Sequence, residues 1–472
     1  MTIDEDAEDQ PPGPDRFVLW TGAFLAIALM AGGASASPIS AGIVRVAAAP
    51  VLAFGVRRLM RDGWPPGALW PLILAALAAV VVAAQLIPMP PSLWTALPGR
   101  DLYVRTYAAA GLPLPWLPVD LTPALGWNAL LGLVPPAAML AALPTLDAAD
   151  RRRLAFLVLA IGVAGAVLGM VQLRGGEASP LRLWSITNRN SAVGFFANRN
   201  HHAIFLAATL PLAGYLAMRR AGHGGGRTAF WLSAAAAYTL VVAVGAAASG
   251  SRAGLVLGVL GAVGALVVAA RARVRRPGPA WRLAALAWPA LLALCVAGVA
   301  ALSIDPRLAR EAQAQLGGDL RFSLTPTTFA AGARFAPLGA GAGAFADIYP
   351  MVEPLAEMGP AFINHAHDDL AEVWLEAGVP GVLLLAALVA WWVWASWTAM
   401  SERRRVGAAL ALAGAMTAGL LLVHSLVDYP LRTPALATLF AFAIGLVTRA
   451  PTDDNSDRGR GIMRLGAFRP LR

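Results

Sequence analysis

The sequence predicts an all-α integral membrane protein with about twelve transmembrane helices and a large periplasmic loop. Composition is the first reason: 58% of the residues are hydrophobic, only 14% are charged, and the mean hydropathy is +0.63. A soluble globular protein carries about a quarter charged residues. The second reason is that apolar runs of about 20 residues, the length that crosses a bilayer, recur along the chain. The third is that arginine clusters follow every second run, which is typical of cytoplasmic loops.

Twelve apolar segments meet the length requirement for a membrane span. They lie at residues 17–34, 38–56, 67–87, 123–143, 154–173, 202–218, 229–248, 253–270, 283–303, 379–400, 406–423 and 434–448. The alternating arginine clusters predict that both termini are cytoplasmic. The expected organisation is a cytoplasmic tail (1–16), nine spans (17–303), a large periplasmic loop (304–378), three spans (379–448) and a basic cytoplasmic tail (449–472).

Two features of the composition exclude other classes of protein. Cys295 is the only cysteine, which excludes an intrachain disulfide and a metal site built from several thiolates. The isoelectric point near 10.9 is also found in nucleic-acid-binding proteins. In a membrane protein, however, basic residues mark cytoplasmic loops, so membrane lipids are expected partners and nucleic acid is not.

Polar clusters lie in the loops predicted to face the periplasm. The first contains amides, a guanidinium and imidazoles at the mouth of a span, in the residues Asn198, Arg199, Asn200 and His201. It predicts either a donor-rich binding patch or helix capping by asparagine. The second is the turn Ser249-Gly250-Ser251-Arg252, whose arginine offers a fork for a diphosphate or else reaches toward lipid head groups.

The sharpest cluster is Asn364-His365-Ala366-His367-Asp368-Asp369. A histidine beside a carboxylate is suited to general-base catalysis. If the segment is helical, His365 lies within reach of Asp368 and Asp369. An acidic stripe at steps of four then follows, in Asp368, Glu372 and Glu376. The alternatives are a solvated polar helix and a zinc site, and the zinc site lacks a third ligand at a usual spacing.

Two smaller features complete the set. His424 and Asp428 lie four residues apart at the predicted membrane edge, where ionisable side chains are costly and indicate function. Alternating glycines at residues 339–343 allow a close approach of the backbone, although the spacing is not that of the dinucleotide-binding fingerprint. By themselves these glycines indicate a turn.

Taken in order, these motifs resemble the O-antigen ligase and O-antigen polymerase (Wzy-like) superfamily of bacterial membrane glycosyltransferases. The resemblance covers about the C-terminal two-thirds of the chain. It rests on residues 194–201, Ser251-Arg252, Arg321, the Gly-X-Gly-X-Gly-X-Phe segment, Tyr349-Pro350, the His-X-His signature, Glu376-X-Gly378 and the His424 and Asp428 pair. Asp368 stands where the family usually has asparagine.

The resemblance implies a GT-C-like architecture and an enzyme of the bacterial inner membrane whose active site faces the periplasm. The implied donor is an undecaprenyl-diphosphate-linked glycan, and the acceptor is a hydroxyl of a glycan or of lipid A–core. Transfer would invert the anomeric centre without a metal or other cofactor. The implied catalytic residues are His367, His365 and Asp368. The implied substrate-binding residues are Arg252, Arg321, Arg199, Asn198, Asn200, His201, His424 and Asp428.

The chemistry of these residues agrees with that reaction, because arginines neutralise a diphosphate leaving group and a histidine or carboxylate deprotonates a hydroxyl. Several alternatives stay open. The chain could be a ligase, a polymerase, an O-linked protein oligosaccharyltransferase, or a polysaccharide transporter or flippase. The family signature favours His367 as the base, whereas helical geometry favours His365.

Overall fold

The computed structural model describes residues 15–221, 226–271, 321–355, 358, 362–401 and 407–448. These residues form helices joined by turns and loops, with an isolated antiparallel bridge between Met89 and Leu117. The first helices are α1 (Arg16–Ala31), α2 (Pro38–Asp62), α3 (Leu69–Gln85), α4 (Pro91–Trp94), α5 (Asp101–Ala109), α6 (Pro123–Gly132), α7 (Val134–Ala142) and α8 (Ala148–Arg174). They are followed by α9 (Arg199–Ala221), α10 (Gly226–Ser249), α11 (Arg252–Arg271), α12 (Arg321–Arg334), α13 (Phe345–Ile348), α14 (Asp369–Ser401), α15 (Ala408–His424) and α16 (Pro434–Val447).

Helices occupy the predicted spans wherever the structure describes them. Seven are long and apolar enough to cross a membrane: α2, the run Pro123–Thr145 that includes α6 and α7, α8, α9, α10, α11 and α14. Four shorter apolar helices, α1, α3, α15 and α16, occupy further predicted spans. Within the described ranges, the predictions of an all-α fold and of several helices fit to cross a membrane are therefore confirmed. The ninth predicted span, 283–303, lies outside the described residues together with Cys295, so the count of twelve stays a prediction.

Helix α9 lies at the centre of the bundle. Of the residues in its most hydrophobic 18-residue stretch, 94% are buried, against 22–44% for the corresponding stretches of the other long spans. Helices α8, α10, α11 and α15 all contact it. The contact with α11 depends on glycine: a Cβ on Gly261 would stand 2.6 Å from the Ala207 carbonyl oxygen, and one on Gly214 would stand 2.7 Å from that of Ala265. Small residues of this kind let helix backbones approach closely in a membrane.

Helix α14 is broken at Gly378, whose backbone angles of φ 55° and ψ −144° are not helical. The first part carries the acidic stripe, and the second part is the apolar span. The turn from Pro337 to Gly341 packs at the break, where Ala340 N donates to Leu375 O at 2.8 Å and Val379 N donates to Pro337 O at 2.8 Å. The predicted glycine motif thus contacts protein backbone here, which agrees with its interpretation as a turn.

The opposite end of the bundle is held by a buried arginine. Arg151, in the first turn of α8, is only 1% exposed. Its guanidinium donates to the carbonyl oxygens of Leu146 and Pro144, each at 3.0 Å, and to that of Thr448 at 2.7 Å. Thr448 caps the C-terminal end of α16. These bonds satisfy terminal carbonyls that no helix can satisfy itself, and they tie α8 to the last described helix.

Candidate functional site

The polar clusters from distant parts of the sequence converge at one end of the bundle. The N-terminus of α9, the segment before α14, and the turn between α15 and α16 meet there. They bring together Asn198, Asn200, His201, His365, His367, His424 and Asp428. All seven are predicted site residues: His365 and His367 as catalytic residues, and the other five as substrate-binding residues.

Asp428 lies at the centre of this cluster and is fully buried. Its Oδ1 lies 3.0 Å from His367 Nδ1, and its Oδ2 accepts a hydrogen bond from Asn200 Nδ2 at 2.8 Å. His201 Nε2 and His424 Nε2 are 3.9 Å and 3.8 Å from its two oxygens. Because an ionised carboxylate only accepts hydrogen bonds, Nδ1 of His367 carries the proton in this pair. In the neutral tautomer with the proton on Nδ1, it is Nε2 of His367 that has the lone pair a general base requires.

The charge state of Asp428 follows from these neighbours. Burial by itself would raise the pKa of the carboxyl, but the hydrogen bond from His367 and the nearby His201 and His424 rings hold its pKa well below the ordinary value of 3.8. Asp428 is therefore ionised at neutral pH. A buried carboxylate of this kind fixes the orientation of the histidine that it contacts.

The ring of Tyr429 packs against the rings of three histidines. Its ring centroid lies 4.1 Å from that of His365 and 4.9 Å from those of His201 and His367. Its hydroxyl hydrogen-bonds to the side chains of Asn198 and Asn364, while burial raises the pKa of the phenol to about 12. Tyr429 therefore stays neutral and holds the imidazole rings at fixed angles.

The segment before α14 is not helical, which corrects the predicted geometry of the His-X-His motif. His367 has φ 53°, in the left-handed region, and α14 begins only at Asp369. Asp368 Oδ1 accepts from Leu370 N at 2.9 Å and Ala371 N at 3.1 Å, so this carboxylate caps the helix. His365 accordingly does not pair with Asp368 or Asp369. The non-helical turn instead directs it toward a different carboxylate in the first turn of α14.

The partner of His365 is Glu372, part of a second buried network. His365 Nδ1 lies 2.8 Å from Glu372 Oε1, and Glu372 Oε2 accepts from Ala366 N at 2.9 Å. Arg432 bridges the acidic face of α14, with contacts of 2.6 Å to Glu376, 3.3 Å to Glu372 and 3.5 Å to Asp369. Burial would lower the pKa of Arg432, but these carboxylates raise it, so the guanidinium stays charged. This network holds the His365–His367 turn against the helix.

The three arginines predicted to bind substrate each begin a helix. Arg199 begins α9, Arg252 begins α11 and Arg321 begins α12. Arg199 Nη1 lies 3.7 Å from the position of a Cβ on Gly250, so the first two predicted clusters are neighbours. Arg252 is exposed beside them. The side chain of Arg321 lies outside the described residues, and its distance from the site therefore stays untested.

Four residues with structural roles at the site were not among the predicted site residues. Glu372 belongs to the acidic stripe that the sequence singles out, and Tyr429 and Arg432 follow Asp428 closely in the sequence, but the roles of all three depend on contacts across the bundle. No sequence motif marks Gln85 as part of the site. Its Nε2 donates to Leu338 O at 2.8 Å and to Glu376 O at 2.9 Å. In the described ranges, no group of three or more His, Cys, Asp or Glu side chains is arranged to hold a metal ion.

Comparison with known proteins identifies a domain that contains part of this site, including His365 and His367. Residues 237–386 match the family model described as O-Antigen ligase. The matched range includes the Ser251-Arg252 turn, the glycine segment and both histidines of the His-X-His motif, and it ends before His424 and Asp428. A search of curated proteins finds no match to this chain. Residues 237–386 therefore form a domain that matches the O-antigen ligase family, in agreement with the resemblance that the motifs indicate.

Proposed function

We propose that the chain is an inverting glycosyltransferase of the bacterial inner membrane. It transfers or polymerises a glycan from an undecaprenyl-diphosphate-linked donor onto an acceptor hydroxyl of a glycan or of lipid A–core. The active site faces the periplasm. The two tails, residues 1–16 and the basic residues 449–472, lie on the cytoplasmic side. The loop 304–378 supplies His365 and His367, and the region 379–448 supplies His424 and the central aspartate. The family match at residues 237–386 and the geometry of the polar cluster both support this assignment.

The observation that carries the proposal is the 3.0 Å contact between His367 and the buried Asp428. The acceptor hydroxyl is a weak nucleophile until a base removes its proton. Both histidines contact a carboxylate through Nδ1, which leaves Nε2 to accept the proton, and His367 is the better base because its side chain is 25% exposed against 17% for His365. His365 orients the same turn through Glu372, and Asp368 caps the following helix.

The reaction is then a direct displacement. The acceptor oxygen attacks the anomeric carbon and passes its proton to His367 Nε2. The bond from the anomeric carbon to the diphosphate oxygen breaks, and the diphosphate leaves with the electron pair. A single displacement inverts the anomeric centre.

Arginines and helix N-termini neutralise the leaving group without a metal. Arg199 and Arg252 begin two adjacent helices, and the N-terminus of a helix attracts anions through its unpaired N–H groups. A guanidinium adds a bidentate fork for phosphate oxygens. Arg321 begins a third helix of the same domain and completes the proposed donor site. Asn198, Asn200, His201 and His424 line the site between these arginines and Asp428.

The test is glycan transfer by purified full-length protein in liposomes, with purified lipid-linked donor and with EDTA present. His367→Ala is expected to lower the transfer rate by roughly 10²–10⁴-fold, the usual contribution of a general base. The matched control is His223→Ala, because His223 belongs to a predicted cytoplasmic segment and should not affect the rate. Near-normal transfer by His367→Ala would remove it from the mechanism. Loss of wild-type transfer in EDTA would refute the metal-free reaction.

The donor site has its own test. Arg252→Lys and Arg321→Lys keep the charge but lose the bidentate fork, so transfer should fall sharply and the KM for the donor should rise. A lysine variant with full activity would contradict a bidentate contact at that position. Deletion in the producing cell separates the acceptor classes, because loss of lipid-linked O-chains indicates a ligase and single-repeat chains indicate a polymerase. Altered glycoproteins alone would contradict both.

A further inference from the structure

A cavity of about 640 Å³ lies between α8, α9 and α10, at the opposite end of α9 from the candidate site. Arg199 begins α9 beside the polar cluster, whereas Arg219 and Arg220 line the cavity in its last turn. At a rise of 1.5 Å per residue, the two sites are about 30 Å apart. The cavity is therefore separate from the proposed glycosyltransferase site.

The cavity is lined by charged side chains at one end and by apolar side chains along the rest of its length. Four arginines lie at one end, Arg152 and Arg153 from α8 and Arg219 and Arg220 from α9. The rest of the lining is apolar, with Phe156, Leu159 and Val163 of α8 facing residues of α9 and α10. From Arg152 to Val163 the α8 wall rises about 16 Å, close to the roughly 15 Å hydrocarbon depth of one bilayer leaflet.

The arginines differ in what they already contact. Arg153 pairs with Asp150, and the Arg220 guanidinium lies 5.2 Å from the centroid of the Trp231 ring. Arg152 and Arg219 form no ion pair with another described residue, although both are placed to reach the cavity mouth. The guanidinium of neighbouring Arg151, by contrast, donates hydrogen bonds to backbone carbonyl oxygens. Four clustered guanidinium groups with one carboxylate attract an anion.

The apolar part of the cavity can be reached from the surrounding membrane. Phe156 and Val163 are 56% and 38% exposed, and exposed apolar side chains on a membrane span face lipid. Apolar side chains of this kind do not stabilise a bound water-soluble anion, whereas they can pack against the acyl chain of a lipid. Positive charge at the level of the head groups, above an apolar groove of one leaflet's depth, is complementary to a phospholipid with net negative charge.

We propose that this cavity binds an anionic phospholipid of the surrounding bilayer, with its phosphate between Arg152 and Arg219 and one acyl chain along Phe156, Leu159 and Val163. The proposal does not depend on the glycosyltransferase reaction. The arginine clusters of this end are cytoplasmic by the positive-inside pattern, so the lipid belongs to the cytoplasmic leaflet.

The experiment is native mass spectrometry of the detergent-purified full chain, titrated with phosphatidylglycerol or with phosphatidylcholine of the same acyl chains. Wild-type protein should retain phosphatidylglycerol in preference to phosphatidylcholine. An arginine near a lipid head group contributes about 1 kcal/mol, which is about fivefold in affinity. The double variant Arg152→Gln, Arg219→Gln should therefore bind phosphatidylglycerol on the order of twentyfold more weakly.

Two further variants make the result specific. Arg57→Gln with Arg61→Gln removes two exposed arginines from the same predicted side but outside the cavity, and it should leave the preference unchanged. Ala160→Phe fills the groove while keeping every charge, and it should also weaken binding. Equal retention of the two lipids, or an equal loss in the control pair, would overturn the proposal. So would unchanged binding in Ala160→Phe, because the site would then hold a head group without its chain.

Discussion

The pairing of His367 with Asp428 predicts that their contributions to transfer are not independent. The perturbation is a double-mutant cycle of His367→Ala, Asp428→Asn and the two together. Asparagine keeps the shape of Asp428. It can still accept from Tyr429 N, which now donates to Oδ1 at 3.0 Å. Its amide nitrogen faces Asn200, whose own amide can rotate to accept. The substitution therefore removes charge with little change in packing.

The expected magnitudes come from the contacts. His367→Ala should cost roughly 10²–10⁴-fold in rate, the usual range for a general base. A hydrogen bond to a charged group is worth about 1.5–3 kcal/mol, so Asp428→Asn should cost about 10- to 100-fold. If Asp428 acts by orienting His367, it has nothing to orient once the imidazole is gone. The double variant should then be no slower than His367→Ala alone.

The assay is the initial rate of glycan transfer in liposomes under saturating donor, with folding checked by thermal unfolding in detergent. Asp347→Asn is the matched control, because Asp347 is an exposed carboxylate on the same predicted side. A double variant slower by the product of the two single losses would refute the reasoning, since the residues would then act separately.

The other predictions concern packing, charge and topology. Gly378→Ala should lower the free energy of unfolding by about 1–3 kcal/mol, because its Cβ would stand 2.1 Å from Pro337 O at a φ of 55°. Gly258→Ala, which meets no atom within 4 Å, should be neutral or stabilising in the same thermal unfolding assay. Arg432→Gln should destabilise by about 3–5 kcal/mol because it leaves buried carboxylates unpaired, and an unchanged unfolding temperature would show that they are otherwise neutralised. Asp428 has a pKa held below 3.8, so its stabilisation is complete above pH about 4 and is lost as the pH falls through the native pKa. The difference in unfolding temperature between wild type and Asp428→Asn should therefore shrink in acid. In a Cys295→Ser background, an impermeant thiol reagent applied from the periplasm should label cysteines at Gly318 and Asp101 but not at Gly224 or Gly278, and labelling at Gly224 would contradict the predicted orientation.

The helices could be predicted from the sequence because span length and apolar composition are local properties. The same is true of the chemistry of the motifs, which identified both His367 and Asp428. Their pairing could not be predicted, since 61 residues separate them and a contact of that range depends on helix packing. The partner of His365 was predicted wrongly because periodicity does not reveal where a helix begins. Asp368 carried the missing signal, as aspartate is a preferred N-cap and its position marks the start of α14.

The bonds of Arg151 have a consequence for how the chain is made. Arg151 is translated well before one of its acceptors, Thr448, which lies 297 residues further along the chain. Until then, the guanidinium has to remain at the water interface. Asp428 and Arg432 arrive at the same late stage, so neither the polar cluster nor this tie exists in a nascent chain. Premature termination before α16 would therefore leave the Arg151 guanidinium, which is buried in the complete bundle, without the carbonyl oxygen of Thr448.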